Sequence, residues 1–199
     1  IERIAPAVAQ AAMDSGVATR PLPDVQAYRA RLRRFVYQSG STMEPVFAAA
    51  KKAAKRLIYA EGEEERVLRA AQVVVDEGIA RPILIGRPDV IASRVERYGL
   101  RLKLGSDVEC VNVLDDRRYR DTWMEYFQLA KRRGVTRSVA QAEIRTRTTL
   151  IGTMLIRKGD ADAMLCGTVG SYADHLRYVR STIGLRPGGK VMATSLHLL

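Results

Sequence analysis

The sequence predicts an α/β fold in which a mostly parallel sheet carries helices on both faces and is preceded by short connector helices. Two observations lead to this prediction. From residue 56 onwards, short apolar runs of strand length alternate with longer amphipathic segments of helix length. In addition, 47% of the residues are hydrophobic and 28% are charged, which is the composition of a globular protein with an apolar core.

The N-terminal part predicts two helices joined by a proline-containing linker. Apolar residues recur at helical spacing from Ile1 and stop at Gly16. Asp24 can cap a second helix, for which Gly40 offers a left-handed stop. Because two short amphipathic helices cannot form a core by themselves, residues 1–40 are expected to be a connector that docks on another part of a protein.

Residues 41–183 carry the alternation and are expected to form one α/β lobe. After a short helix that begins near Pro45, strands are predicted at residues 56–60, 82–85, 108–113 and 163–166. Helices are predicted at residues 63–77, 89–98, 117–133, 138–158 and 172–183. A further strand is predicted from Val191, so residues 184–199 are expected to begin a second lobe that is truncated here.

The charge and the cysteine content limit which classes of function are plausible. The 33 Lys and Arg residues exceed the 22 Asp and Glu residues, which favours anionic partners. The basic residues are spread along the chain and only 6% of residues are aromatic, so specific nucleic-acid binding is not expected. The sequence has no apolar run of membrane-spanning length, no secretory signal at its start and no CxxC pair, and a cytoplasmic protein without a membrane partner is therefore predicted.

The best candidate site lies where the fourth predicted strand meets the last predicted helix. Residues 167–171 combine two glycines, two hydroxyl side chains and a helix start, and such a segment presents backbone N–H groups to an anion. Two arginines on the following helix could add charge-assisted hydrogen bonds. An equally good interpretation from local chemistry is a tight turn whose serine caps the helix. The candidate ligand-binding residues are Gly167, Thr168, Gly170, Ser171, Arg177 and Arg180.

An acidic cluster at residues 61–65 follows the first predicted strand. These carboxylates could simply complement the positive end of the next helix. Alternatively, one of them orients arginine side chains across a cleft, and Glu61 is the candidate because it lies nearest the strand end.

Other motifs indicate no catalytic residue, metal site or resident cofactor in this chain. His175 and His197 have no cysteine or second histidine at ligand spacing, and a surface or packing role is predicted for both. No GxGxxG follows a predicted strand. Residues 184–190 match GxxxxGK, but the Ser or Thr of a P-loop is replaced by Val191 and the order of helix and strand is reversed.

Three blocks of sequence resemble the phosphate acetyltransferase family. They are YAEGEEERVLRAA at residues 59–71, RPILIGRP at residues 81–88 and DADAMLCG at residues 160–167. More closely, they resemble the acetyltransferase-like C-terminal region of bacterial NADP-dependent malic enzymes. Residues 4–9 and 12–18 are similar to the stretch that leads from the malic-enzyme catalytic part into this region.

The resemblance implies a fold of two α/β lobes, of which this chain holds the first, and an upstream catalytic part. That upstream part would use NADP and a divalent metal, Mg or Mn, to decarboxylate malate oxidatively to pyruvate and CO₂. This region would bind acetyl-CoA as an effector and hold a homo-oligomer together. The alternative is an active phosphate acetyltransferase that moves acetyl between CoA and phosphate. In such enzymes a Ser-Arg pair lies on the later portion, and an Arg-Pro-Ala-Leu run stands where this chain has RYVR at residues 177–180.

Overall fold

The computed structural model describes residues 3–36, 40–112, 114–185 and 187–189. The chain divides into two compact units, one holding Ile1–Ala49 and the other Ala50–Ser195. The boundaries expected at residues 40 and 183 remain predictions. The strand predicted from Val191 lies outside the described residues.

Helices make up the regular structure of the first unit within its described part. Helix α1 spans Ile4–Asp14, helix α2 spans Val25–Val36, and helix α3, Gly40–Ala53, begins in this unit. Asp24 caps α2 as predicted, because its Oδ1 accepts from the backbone N–H groups of Gln26 at 2.7 Å and Ala27 at 3.0 Å. The prediction that Gly40 ends a helix is wrong, since Gly40 is the first residue of α3.

The second unit alternates strands and helices. Its elements are β1 (Arg56–Tyr59), α4 (Glu65–Glu77), β2 (Arg81–Ile85), α5 (Pro88–Arg97), β3 (Glu109–Val111), α6 (Tyr119–Ala130), a short 3₁₀ turn (Lys131–Arg133), α7 (Arg137–Thr146), α8 (Thr148–Lys158), β4 (Ala163–Leu165) and α9 (Tyr172–Thr182). Among the helices in the described part of the chain, none has both the length and the apolar character needed to cross a membrane.

The four strands form one parallel sheet in the order β3-β2-β1-β4. The chain therefore steps outward from β1 to β3 and then crosses back to place β4 on the other side of β1. This reversal makes a topological switch point between β1 and β4, where the loops that leave the two strands separate. The predicted parallel α/β fold is confirmed.

Apolar side chains pack against both faces of the sheet. On β2, Ile83 and Ile85 join one core cluster and Leu84 joins the other, as expected from the two-residue period of a strand. Helices α4 and α5 cover the Leu84 face, and α6 to α9 cover the Ile83 face. Each core cluster contains side chains of the strands and of the helices that cover them, so a packed core holds the loops at the strand ends in place.

The helix predicted over residues 138–158 is two helices, and this part of the prediction is wrong. The chain bends at Arg147, whose φ of −111° and ψ of 89° are not helical. Three threonines surround the bend, and β-branched residues form helices poorly. The bend lets both Ile144 on α7 and Leu150 on α8 pack into the same core cluster.

An ion pair ties the starts of β1 and β4 together. The Asp162 carboxylate accepts from the Arg56 backbone N–H at 2.8 Å and from its guanidinium at 3.2 and 3.3 Å. The hydrogen bond from the Arg56 side chain lowers the pKa of Asp162 to about 2. Since an unfolded aspartate titrates near about 4, this pair stabilises the fold above that pH and is lost as the pH falls towards 2.

We expect Asp162→Asn to flatten the acid dependence of stability. The wild-type chain should lose stability between pH values of about 4 and 2 through this group, and the variant should lose less. Urea midpoints measured at neutral and acid pH test this. Asp160→Asn is the matched control, because Asp160 acts on Arg56 through its charge, whereas Asp162 also accepts hydrogen bonds from it. The same acid dependence in Asp162→Asn and wild type would contradict the assignment.

Candidate functional site

The predicted residues Glu61 and Gly167 meet at the switch point. The backbone N–H of Ala60 donates to the Leu165 carbonyl at 3.0 Å, which brings the ends of β1 and β4 side by side. One residue further on, the Glu61 Oε1 accepts from the Gly167 N–H at 3.0 Å. The Glu61 carboxylate thus holds the backbone of the turn in place. It occupies one of the N–H groups that the sequence predicts to be offered to an anion.

His175 holds the same turn from the other side. Its Nε2 lies 2.8 Å from the Val169 carbonyl oxygen and its Nδ1 lies 2.6 Å from the Thr149 hydroxyl. Because a carbonyl only accepts, neutral His175 carries its proton on Nε2 and accepts from Thr149. The imidazole therefore connects α8, the turn and α9 through hydrogen bonds.

The turn itself has the backbone conformation that its glycines allow. Gly167 and Gly170 have φ values of +110° and +101°, which side chains with a Cβ rarely adopt. The Ser171 hydroxyl caps α9 by accepting from the Asp174 N–H at 3.2 Å and donates to the Asp174 carboxylate at 2.7 Å. Ser171 is therefore occupied by the helix, whereas Thr168 stands exposed on the surface of the turn.

Arg177 and Arg180 line a groove of about 500 Å³ along α9. Arg133, from the turn after α6, forms part of its lining, and Ala173 and Leu176 supply apolar surface. Arg133 is fixed there because its Nη2 donates to the carbonyls that end α6 and α9, Leu129 at 3.1 Å and Ser181 at 3.0 Å. Of the described residues that line this groove, none belongs to the turn of residues 167–171.

In the structure, the residues of the predicted site fall into two neighbouring groups, one just before α9 and one along it. Gly167, Thr168, Gly170 and Ser171 lie at its N-terminal end, and Arg177 and Arg180 lie along its exposed side. Arg133 was missed by the sequence analysis. It belongs to a basic run that is typical of a solvated helix face, and the partners that set it in the groove are distant in sequence.

The other acidic residues after β1 have structural partners. Glu63 accepts from the Arg87 backbone N–H at 2.9 Å and from its guanidinium at 2.9 and 2.8 Å. The side-chain hydrogen bond from Arg87 holds the pKa of Glu63 below its ordinary value. Glu65 pairs with Arg69 one turn along α4. Glu63 and Glu65 thus each hold an arginine, Arg87 and Arg69 respectively.

The thiol at the switch point, Cys166, is not activated as a nucleophile. Burial, followed by the charge of Glu61, raises the pKa of the Cys166 thiol, which keeps it protonated. Within the described ranges, no three His, Cys, Asp or Glu side chains come together in a way that could hold a metal ion. What the arrangement offers is a rigid, glycine-containing turn beside a groove lined by three arginines, which suits an anionic ligand.

Comparison with known proteins identifies the family. Residues 41–199 match the family described as phosphate acetyl/butaryl transferase. The chain belongs to this family. It is 25% identical to a solved structure of the EutD phosphotransacetylase from Staphylococcus aureus, with a TM-score of 0.64 over 73% of this chain and 44% of that one.

Malic enzymes match this chain over more of its length. It is 57% identical to the NAD-dependent malic enzyme of Rhizobium meliloti (strain 1021) and 50% identical to the NADP-dependent malic enzyme of Escherichia coli (strain K12). Each match covers 94% of this chain but only 24% and 25% of the respective enzyme, so the chain spans about a quarter of these relatives. The predicted resemblance to the phosphate acetyltransferase-like region of bacterial malic enzymes is confirmed.

Proposed function

We propose that this chain is the acetyl-CoA-sensing regulatory region of a cytoplasmic malic enzyme and that it helps to hold the enzyme's homo-oligomer together. The observation that supports the proposal best is the groove in which Arg133, Arg177 and Arg180 stand beside Ala173 and Leu176. Coenzyme A carries several phosphate groups, for which guanidinium groups are favoured partners.

The parent enzyme would decarboxylate malate oxidatively to pyruvate and CO₂. Its nicotinamide coenzyme and its Mg or Mn ion would be held by the upstream catalytic part. The sequence resemblance favours NADP, while the two relatives named above differ in coenzyme, one being NAD-dependent and the other NADP-dependent. The region described here would be non-catalytic and would act on that part through binding.

Regulation requires that acetyl-CoA prefer one arrangement of the enzyme over another. The groove is connected to the sheet through α9, because α9 packs on α8 and both contribute to the core over the Ile83 face. A ligand that tightens α9 against this core could therefore bias how the region contacts its neighbours, at a coupling free energy of about 1 to 3 kcal/mol.

In the full-length malic enzyme, we expect Arg177→Ala to raise the acetyl-CoA concentration needed for half-inhibition by about tenfold, since a charge-assisted contact is lost. Malate turnover without acetyl-CoA should stay within about twofold of wild type, because the altered residue lies outside the proposed catalytic part. Steady-state assays at varied acetyl-CoA measure both quantities.

Arg101→Ala is the matched control for this experiment. It also removes one positive charge, but from a side chain that pairs with Asp76 on α4 and lies outside the groove. Half-inhibition at the wild-type concentration in Arg177→Ala, or an equal shift in Arg101→Ala, would exclude the groove as the acetyl-CoA site.

The second candidate function is phosphate acetyltransferase activity, which the family and the likeness to the EutD phosphotransacetylase favour. In this reaction phosphate attacks the acetyl carbonyl of acetyl-CoA, the C–S bond breaks, and acetyl phosphate and CoA are formed. Sustained formation of acetyl phosphate by the full-length protein, reduced in Arg177→Ala, would favour this function over the purely regulatory one.

A further inference from the structure

Arg177 bonds directly to one buried tyrosine, Tyr178, which shares the Glu143 carboxylate with a second one, Tyr126. Its Nη2 donates to the Tyr178 hydroxyl at 3.0 Å, and its Cζ lies 4.8 Å from the centroid of the Tyr178 ring. The Tyr178 hydroxyl donates to Glu143 Oε1 at 3.1 Å, and the Tyr126 hydroxyl donates to Glu143 Oε2 at 2.6 Å. The network thus joins α6, α7 and α9 and ends at the groove.

Both tyrosine hydroxyls in this network have a defined acceptor. Tyr178 accepts from Arg177 and donates to Glu143, so its single hydroxyl proton is directed away from the guanidinium. Glu143 takes one hydroxyl on each carboxylate oxygen. Burial and the nearby Glu143 raise the pKa of both tyrosines, which keeps their hydroxyls protonated as donors.

The two tyrosines of the network are fixed in the core, whereas the Arg177 side chain is exposed. Tyr126 and Tyr178 are each only 5% exposed and belong to the core cluster, whereas Arg177 is exposed. An exposed arginine loses side-chain entropy when a ligand fixes it. A guanidinium that already rests on a fixed ring and hydroxyl has less of that entropy to lose.

We infer that Tyr178 and Glu143 are positioning residues that hold Arg177 ready for an anionic ligand in the groove. The inference rests on the proposed function, because it takes acetyl-CoA as that ligand. Glu143 acts through the Tyr178 hydroxyl, and Tyr126 fixes the second carboxylate oxygen so that Glu143 keeps its orientation. Binding of acetyl-CoA should therefore depend on a hydroxyl that does not itself touch the ligand.

The test compares acetyl-CoA binding to variants of the full-length protein by isothermal titration calorimetry. We expect Tyr178→Phe to raise the dissociation constant about fivefold, because it keeps the ring but removes the acceptor of Arg177. Glu143→Gln should weaken binding in the same direction, since one amide oxygen replaces two carboxylate acceptors. Thermal melting shows whether each variant remains folded.

The decisive measurement is the effect of Tyr178→Phe in an Arg177→Ala background. If Tyr178 acts through Arg177, the second substitution should change the dissociation constant by less than about 1.5-fold, whereas a general disturbance of the groove would weaken binding again. Tyr119→Phe is the matched control. It removes the hydrogen bond that the half-buried Tyr119 of α6 donates to the Gln141 carbonyl of α7 at 3.0 Å, without touching the network, and it should leave binding unchanged.

The outcomes separate the two proposals. If wild type fails to bind acetyl-CoA, or if Arg177→Ala binds as wild type does, the proposed function fails and this inference fails with it. If Arg177→Ala is impaired while Tyr178→Phe and Glu143→Gln bind normally, only the positioning role is overturned. An equal loss from Tyr178→Phe in both backgrounds also overturns it.

Discussion

Replacing Gly62 with alanine is expected to lower the free energy of unfolding by about 3 kcal/mol. Gly62 is buried at the end of the β1 loop, and its N–H donates to the Ile85 carbonyl at 3.1 Å. A Cβ at this position would lie 2.8 Å from the Ile85 oxygen, 2.9 Å from the Ile85 nitrogen and 2.9 Å from the Leu84 Cβ. These neighbours belong to β2, an interior strand of the sheet, and cannot rotate away, so the loop must move.

The same displacement should reach the candidate site, because Gly62 directly follows Glu61, which accepts from the Gly167 N–H. Urea denaturation followed by circular dichroism measures the loss of stability. Gly99→Ala is the control, since Gly99 has a φ of +63° with open space around it and should cost only about 1 kcal/mol for the left-handed backbone. A loss in Gly62→Ala no larger than in Gly99→Ala would show that β2 accommodates the added methyl group.

The strands could be predicted because their signal is local. The apolar runs around Ile58 and Ile83 are short, are bounded by polar residues and alternate with helical spacing, and each of these features can be seen within ten or so residues. The spatial order β3-β2-β1-β4 was beyond such reasoning, since no local pattern says on which side of β1 the last strand pairs. The break at Arg147 could not be predicted, because the helical spacing of apolar residues continues from α7 into α8.

The candidate site shows the same division between local and distant signals. The turn at residues 167–171 was predicted because its glycines and its helix cap are adjacent in sequence. The contacts around it could not be predicted, because the residues that make them are far apart in the sequence. His175 and Thr149 are separated by 26 positions, and Tyr178 and Glu143 by 35. The position of the loop that follows a parallel strand can thus be predicted from the sequence. The groove lined by Arg177 and Arg180 cannot, because it depends on how α6 to α9 pack against one another.

His175→Ala is expected to lower the free energy of unfolding by about 2 kcal/mol and to loosen the turn. The substitution removes two hydrogen bonds at once, those to the Val169 carbonyl and the Thr149 hydroxyl. Thr149 is only 4% exposed, so its hydroxyl would be left buried with only the weakly bonding Cys166 thiol beside it, which costs more than the loss of the bond itself.

Thr149→Val provides the matched comparison, because it removes the hydroxyl while keeping the shape of the side chain. Alone it should cost about 1 kcal/mol, and combined with His175→Ala it should cost less than the sum of the two single changes, since no buried hydroxyl is then left without a partner. Amide hydrogen exchange should become faster at Val169 and Gly170 in His175→Ala while the amides of β1 and β2 remain protected. Additive losses in the double variant, with unchanged exchange in the turn, would mean that His175 stabilises α9 by packing alone and that Glu61 is sufficient to hold the turn.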